Sequence, residues 1–228
     1  MSDARERILA RLRHARGGAP AAEPRSPAAP EATIPSTERV ALFRACLEAV
    51  RAQVHVTSEA GWPALLRGLV LERGIRRLLY GADGPLAPAL RTAFAGLDGL
   101  ALVSYAAGIE AWKEELFYGI DAAVTSSLGG VAETGSVILW PDTAEPRLMS
   151  LVPSVHFVLL DVDTLHSDFY SAITAEGWTQ GLPTNALLIS GPSKTADIQQ
   201  TLAYGAHGPR ELVLLLRHAE PAKPGEAA

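Results

Sequence analysis

Sulfur is scarce in this chain, and the scarcity excludes several chemistries. Cys46 is the only cysteine, so there is no intrachain disulfide and no cysteine-ligated zinc or iron–sulfur site. Aromatics are few, and no apolar run approaches the roughly 20 residues of a membrane span. The first residues lack the apolar core of a signal peptide, so the expected compartment is the cytoplasm. A basic surface is also missing. The net charge of -5 argues against general binding to nucleic acid or to membranes. No glycine fingerprint for a dinucleotide occurs, because Gly129-Gly130 and Gly135 have the wrong spacing. No internal repeat is visible.

What is present is enough for a sizeable core. Apolar residues make up 48% of 228 residues, which suits one α/β domain and an arm. Residues 1–16 read as an arm helix with a short stripe of Ile8, Leu9 and Leu12, packed on its own domain, on a second copy, or on another subunit. Residues 17–35 are rich in Pro and Ala and read as a linker. The domain spans 36–217, and 218–228 read as a disordered tail.

Within the domain the pattern alternates. Helical periodicity over 38–53 puts Val40, Phe43, Leu47 and Val50 on one face, with Cys46 as a buried, inert thiol beside them. Short apolar strands follow at 54–56, 75–80, 100–105, 122–125, 136–140 and 155–160. Helices are expected at 61–72, 85–94, 110–118 and 164–176. Strand 212–216 has no polar alternation, which implies cover on both faces. Such β-then-α units predict a mainly parallel sheet between helical layers.

One further unit is expected near the end: strand 186–190, a Gly191-Pro192 break, a helix opening at Ser193 or Thr195, Gly205 as its stop, then strand 212–216. Ile198, Thr201 and Leu202 supply that helix's inner face, and Asp197 falls in its first turn.

Ligands of parallel sheets gather at the carboxyl ends of strands, which directs attention to loops 81–84, 126–135, 161–168 and 191–195. Ser193, Lys194 and Thr195 before a helix are candidates for an anion, although Walker spacing is missing and Asp197 competes for the helix end. The alternative is simply a well-capped helix. Glu133, among glycines at a sheet edge, is a candidate general base or nucleophile, or else a turn carboxylate held by backbone N–H groups. His207, between glycines, either donates to a ligand or locks a turn. Arg210 is suited to forking onto a carboxylate. Asp161, Asp163, His166 and Asp168 lie close in sequence but match no metal motif. Asp163 looks like a helix cap, and Asp168 falls in that helix's second turn.

Three stretches together resemble one family. They are Ala132-Glu133-Thr134-Gly135-Ser136 before an apolar strand, Leu151-Val152-Pro153 before strand 155–160, and the run 190–198 with Gly205 and His207-Gly208-Pro209-Arg210. Their order is similar to that of LUD-domain proteins of the lactate utilisation protein C (LutC/YkgG) type. The likeness covers residues 40–217. It departs from the pattern at Lys194, where arginine is usual, and near Gln199, where glutamate is usual.

The resemblance implies a three-layer α/β/α fold like the NagB/RpiA/CoA transferase group. It implies a cluster-free subunit that takes part in oxidising L-lactate to pyruvate, binds no cofactor itself, and works with iron–sulfur partners similar to LutA and LutB. By analogy with CoA transferases, Glu133 would be catalytic. The competing expectations are an independent CoA-transferase or phosphosugar-isomerase-like enzyme, and a ligand-binding scaffold.

Overall fold

The structure is a computed structural model that describes residues 2–15, 33–105, 109–196, 202–205 and 207–218. Helix α1 (Ser2–Ala15) belongs to a unit of its own, residues 1–31. The second unit holds everything else. The expected linker, up to residue 32, and the expected tail after His218 fall outside the described residues.

The second unit opens with α2 (Ser36–Ala49), β1 (Gln53–Ser58), α3 (Trp62–Glu72) and β2 (Arg77–Tyr80). Next come α4 (Ala87–Ala93), β3 (Ala101–Ser104), α5 (Ile109–Glu114) and β4 (Ala122–Ser126). Then follow β5 (Gly129–Val131), β6 (Ser136–Leu139), β7 (Val155–Asp161), β8 (Leu165–His166) and α6 (Phe169–Ala175). The chain closes with β9 (Leu187–Ile189), β10 (Lys194–Ala196), β11 (Leu202–Tyr204) and β12 (Glu211–His218).

Six strands form a fully parallel sheet in the order β1-β12-β7-β4-β2-β3. Two neighbouring inner strands, β12 and β7, carry the continuous apolar runs. Leu212 to Leu216 and Phe157 to Leu160 are all buried, because both faces of the sheet are covered. On one face, α3 and α4 bring Trp62, Leu66, Val70 and Leu90 onto Phe157, Val213 and Leu215. On the other, Phe43 and Leu47 of α2 pack with Val137, Val158, Leu160, Leu214 and Leu216. That second layer is not helix alone. A four-stranded sheet, β8-β5-β6-β9, shares it with α2.

Three local expectations are corrected. The helix expected from residue 193 to 205 is a two-stranded ribbon where described, with Lys194 paired to Tyr204 and Ala196 to Leu202. Asp197, Ile198 and Thr201 lie outside the described residues. Nor do residues 186–190 lead into the parallel sheet, since β9 pairs antiparallel with β6 in the smaller one. Finally, Asp168 is the cap of α6: its carboxylate accepts from Ser171 N at 2.8 Å. Asp163 instead sits in a short 3-10 turn. Cys46 is half-buried and donates weakly to the Glu133 carbonyl at 3.9 Å.

Among the described residues no helix is long and apolar enough to cross a membrane.

Candidate functional site

Strand order fixes where a ligand crevice should lie. From β2 the chain steps outward to β3, whereas β4, on the other side of β2, leads on to β7 and β12. The order reverses between β2 and β4, and their carboxyl ends flank a crevice. Gly81 follows β2 there, and Ser126 ends β4.

A connecting segment, residues 141–150, ending in a short 3-10 turn (Arg147–Ser150), crosses this crevice. Asp142 shapes it by accepting from Ala144 N and Glu145 N, each at 2.8 Å. Glu145 then points back to the sheet, accepting from Ser126 N at 2.9 Å and Ser126 Oγ at 2.6 Å. The glycine loop explains how close the segment comes. A Cβ at Gly81 would stand 2.5 Å from the Ala144 oxygen and 2.8 Å from Glu145 Cγ. Burial raises the Glu145 pKa above its ordinary value, against the two bonds from Ser126, and the charge of Asp142 raises it further.

Beside Glu145 lies a cavity of about 160 Å³, lined also by Thr125, Ser126, Ser127, Trp140, Arg147 and Ser150. Arg147 is exposed and forms no ion pair with a described residue. The cavity thus offers one free cation, one partly desolvated carboxyl group and hydroxyls. That set suits a small monocarboxylate carrying a second oxygen function.

A second cavity, about 200 Å³, lies at the amino ends of β7 and β12. It shares Ser150 with the first, and it gathers Ser190, Ser193, His207 and Pro209 around His156. The loops are tied together by backbone bonds, Ser193 N to Pro209 O at 2.8 Å and Arg210 N to Ser154 O at 2.8 Å. His156 is fully buried and shares a hydrogen bond with Thr125 Oγ1, 2.9 Å from Nε2. Its Nδ1 has no partner among the described residues. Burial pushes the imidazole down to about 3, so it is neutral at physiological pH.

The neutral histidine has a measurable consequence. An unfolded chain takes up a proton at His156 below its ordinary value of 6.5, and the folded chain does not until about pH 3. Its contribution to stability is therefore full above 6.5 and is lost as the pH falls through that window, by up to about 1.4 kcal/mol per pH unit. Chemical denaturation between pH 7 and 5 is expected to show this slope, and His156→Phe to flatten it.

The residues singled out from sequence are thus distributed. Ser193 and His207 line the His156 cavity. Lys194 lines an adjoining cleft with Arg51, Ser190 and Gly191. Thr195 belongs to β10. Arg210 stacks its side-chain stem over Gly205 and lines neither cavity. Glu133 is exposed in the β5–β6 turn, where its N–H donates to Ser167 O at 3.0 Å. That turn is tight because Gly135 has φ +60°, and a Cβ there would meet Cys46 Cβ at 2.6 Å. Glu133 lines neither cavity, but its neighbour Thr134 starts a hydroxyl chain, to Ser136 at 2.7 Å and on to Ser190 at 2.6 Å. The acidic loop separates into structural roles. Asp161 pairs with Arg217 at 2.5 and 2.8 Å, and His166 Nε2 meets Glu176 at 3.0 Å.

Glu145, Arg147 and His156 were not signalled as site residues. For Glu145 a signal existed: the glycines of loop 81–84 demand a close neighbour, and Asp142 to Pro146 reads as a tight turn that could deliver one.

A parallel-sheet α/β protein with a small-molecule cavity at its switch point is the class that fold and site define. The chain belongs to the LUD-domain family, whose model matches residues 40–216. It is 38% identical over 179 residues to the uncharacterised protein NMB1437 of Neisseria meningitidis, covering 78% of this chain and 76% of that one. It is 26% identical to a lactate utilisation protein C of Bacillus pumilus over 73% of each chain. Over a shorter segment it is 35% identical to a protein of that name from Shouchella clausii, 39% of this chain and 40% of that one. A solved DUF162 family protein from Deinococcus radiodurans shares the fold, with a TM-score of 0.58 at 22% identity, covering 81% of this chain and 99% of that one.

Proposed function

We propose that this chain serves lactate utilisation as the cluster-free subunit of a cytoplasmic system that oxidises L-lactate to pyruvate, and that its switch-point cavity holds the small carboxylate. The names of its relatives support the lactate role. The observation that carries the pocket is the half-buried Glu145 carboxyl in one cavity of about 160 Å³ with Arg147, which forms no ion pair with a described residue. Arg147 receives the carboxylate, and Glu145, made more basic by burial, accepts the proton of the 2-hydroxyl. The C2 hydrogen leaves as a second proton to solvent, and the two electrons pass one at a time to iron–sulfur clusters on LutA- and LutB-like partner subunits, since one cysteine cannot build a cluster here.

The test is a tagged chain at native level in cells grown on L-lactate. The expected result is co-purification of iron- and sulfide-bearing partners, and loss of growth on L-lactate when the chain is deleted. Normal growth of the deletion strain on L-lactate contradicts the reading.

A further inference from the structure

Most hydroxyls on the wall of the switch-point cavity have already committed their protons. Ser126 Oγ donates to the Glu145 carboxylate at 2.6 Å, Ser127 Oγ to the Leu159 carbonyl at 2.9 Å, and Ser150 Oγ to the Arg147 carbonyl at 2.9 Å. A hydroxyl has one proton, so while those bonds hold these serines can only accept from a ligand. Thr125 is the remaining hydroxyl among the residues that line the cavity, and it is bonded to His156. The direction of that bond decides whether Thr125 can donate to a ligand.

A neutral imidazole carries its proton on one nitrogen only. His156 has no surface open to solvent, and burial keeps it neutral at physiological pH. Nε2 stands 2.9 Å from Thr125 Oγ1, whereas Nδ1 has no partner among the described residues. A proton on Nδ1 would be a buried N–H with no acceptor, and orphaned donors are rarer in folded proteins than under-used acceptors. The proton therefore sits on Nε2 and is donated to Thr125 Oγ1, which leaves the Thr125 proton uncommitted. The pair is rigidly held. Ala123 of β4 lies opposite His156 of β7, and Thr125 opposite Val158, so the two side chains meet diagonally across neighbouring inner strands.

Building on the lactate reading of this cavity, we propose that Thr125 recognises the oxygen at C2 of the substrate, and that His156 is the positioning residue that makes the Thr125 hydroxyl a donor. Arg147 receives the carboxylate, Glu145 accepts from the 2-hydroxyl, and Thr125 donates to a lone pair of that same oxygen. The keto oxygen of pyruvate has lone pairs only and keeps the Thr125 bond. Propionate, the same acid with no oxygen at C2, makes neither bond. The cavity thus selects small acids with an acceptor oxygen at C2.

Two measurements on the full chain test this. Nitrogen NMR of histidine-labelled protein, with the His156 signals assigned by their absence in His156→Gln, is expected to show Nε2 protonated and Nδ1 bare. A proton on Nδ1 overturns the proposal, whatever the chain binds. The second measurement is calorimetry with L-lactate, pyruvate and propionate. Thr125→Val, close in shape, is expected to weaken L-lactate and pyruvate about fivefold and to leave propionate unchanged. Thr125→Ser, which keeps the hydroxyl, is expected to keep the preference for L-lactate over propionate. His156→Gln, whose side-chain N–H can stand in for that of Nε2, is expected to retain more of that preference than His156→Phe, which cannot donate. Equal weakening of all three acids by Thr125→Val marks a packing role and overturns the proposal while the lactate pocket stands. Failure of the unaltered chain to bind L-lactate contradicts the pocket itself, and the proposal with it.

Discussion

Glu145→Gln is expected to leave a folded protein and to cut L-lactate-dependent turnover of the assembled system by about 10²-fold or more. Glutamine has the same shape, and its carbonyl can still accept from Ser126 N and Ser126 Oγ, the two bonds that now hold Glu145. What it removes is the basic oxygen. A loss of turnover with unchanged melting therefore reports proton transfer and not packing. Arg147→Ala is expected to act differently, raising the L-lactate concentration needed for half-maximal rate while leaving the limiting rate nearer to normal, because the cation binds the carboxylate and is not itself a base. Full turnover by Glu145→Gln would remove the carboxyl from the chemistry.

Phe157→Ala is expected to be the most damaging single change to the fold. Phe157 is fully buried near the middle of the central strand β7, under Leu66, Val70 and Leu90 of the covering helices. Emptying that position costs about 3–5 kcal/mol, lost transfer energy plus a cavity the flanking strands cannot close. Against a stability of about 5–15 kcal/mol for a domain, this is a large share. Urea unfolding should show the midpoint falling accordingly. Tyr118→Ala, at a residue 88% exposed, should change stability by no more than about 0.5 kcal/mol. A Phe157→Ala protein as stable as the Tyr118→Ala one would contradict this view of the core.

The parallel sheet was legible because its signal is local and redundant. Phe157 to Leu160 and Leu212 to Leu216 are apolar on both faces, and only a strand covered on both sides tolerates that. Helices α2, α3 and α4 were legible from their periodicity for the same reason. The region after Ser190 was not. Ile198, Thr201 and Leu202 have helical spacing, but Leu202 lies in β11. The flanks pair instead, Lys194 with Tyr204 and Thr195 with Ala203, a pairing that no spacing within either flank announces. The same limit hid the site. Ser193 and His207 were marked as polar residues in connections, and they do meet in one cavity. Glu145 and His156 were passed over because their importance lies in burial and in long-range partners. Ser126 is 19 positions from Glu145, and Thr125 is 31 from His156. Glu133 drew attention as an acid among glycines, yet those glycines serve backbone approach: a Cβ at Gly129 would stand 2.5 Å from the Thr164 carbonyl oxygen.

The most direct test of the switch-point pocket is a crystal structure of this chain soaked in L-lactate. The account predicts one lactate between the ends of β2 and β4, its carboxylate within hydrogen-bonding distance of the Arg147 guanidinium and its 2-hydroxyl turned to the Glu145 carboxyl. Lactate bound elsewhere, with that cavity holding only solvent, would contradict it.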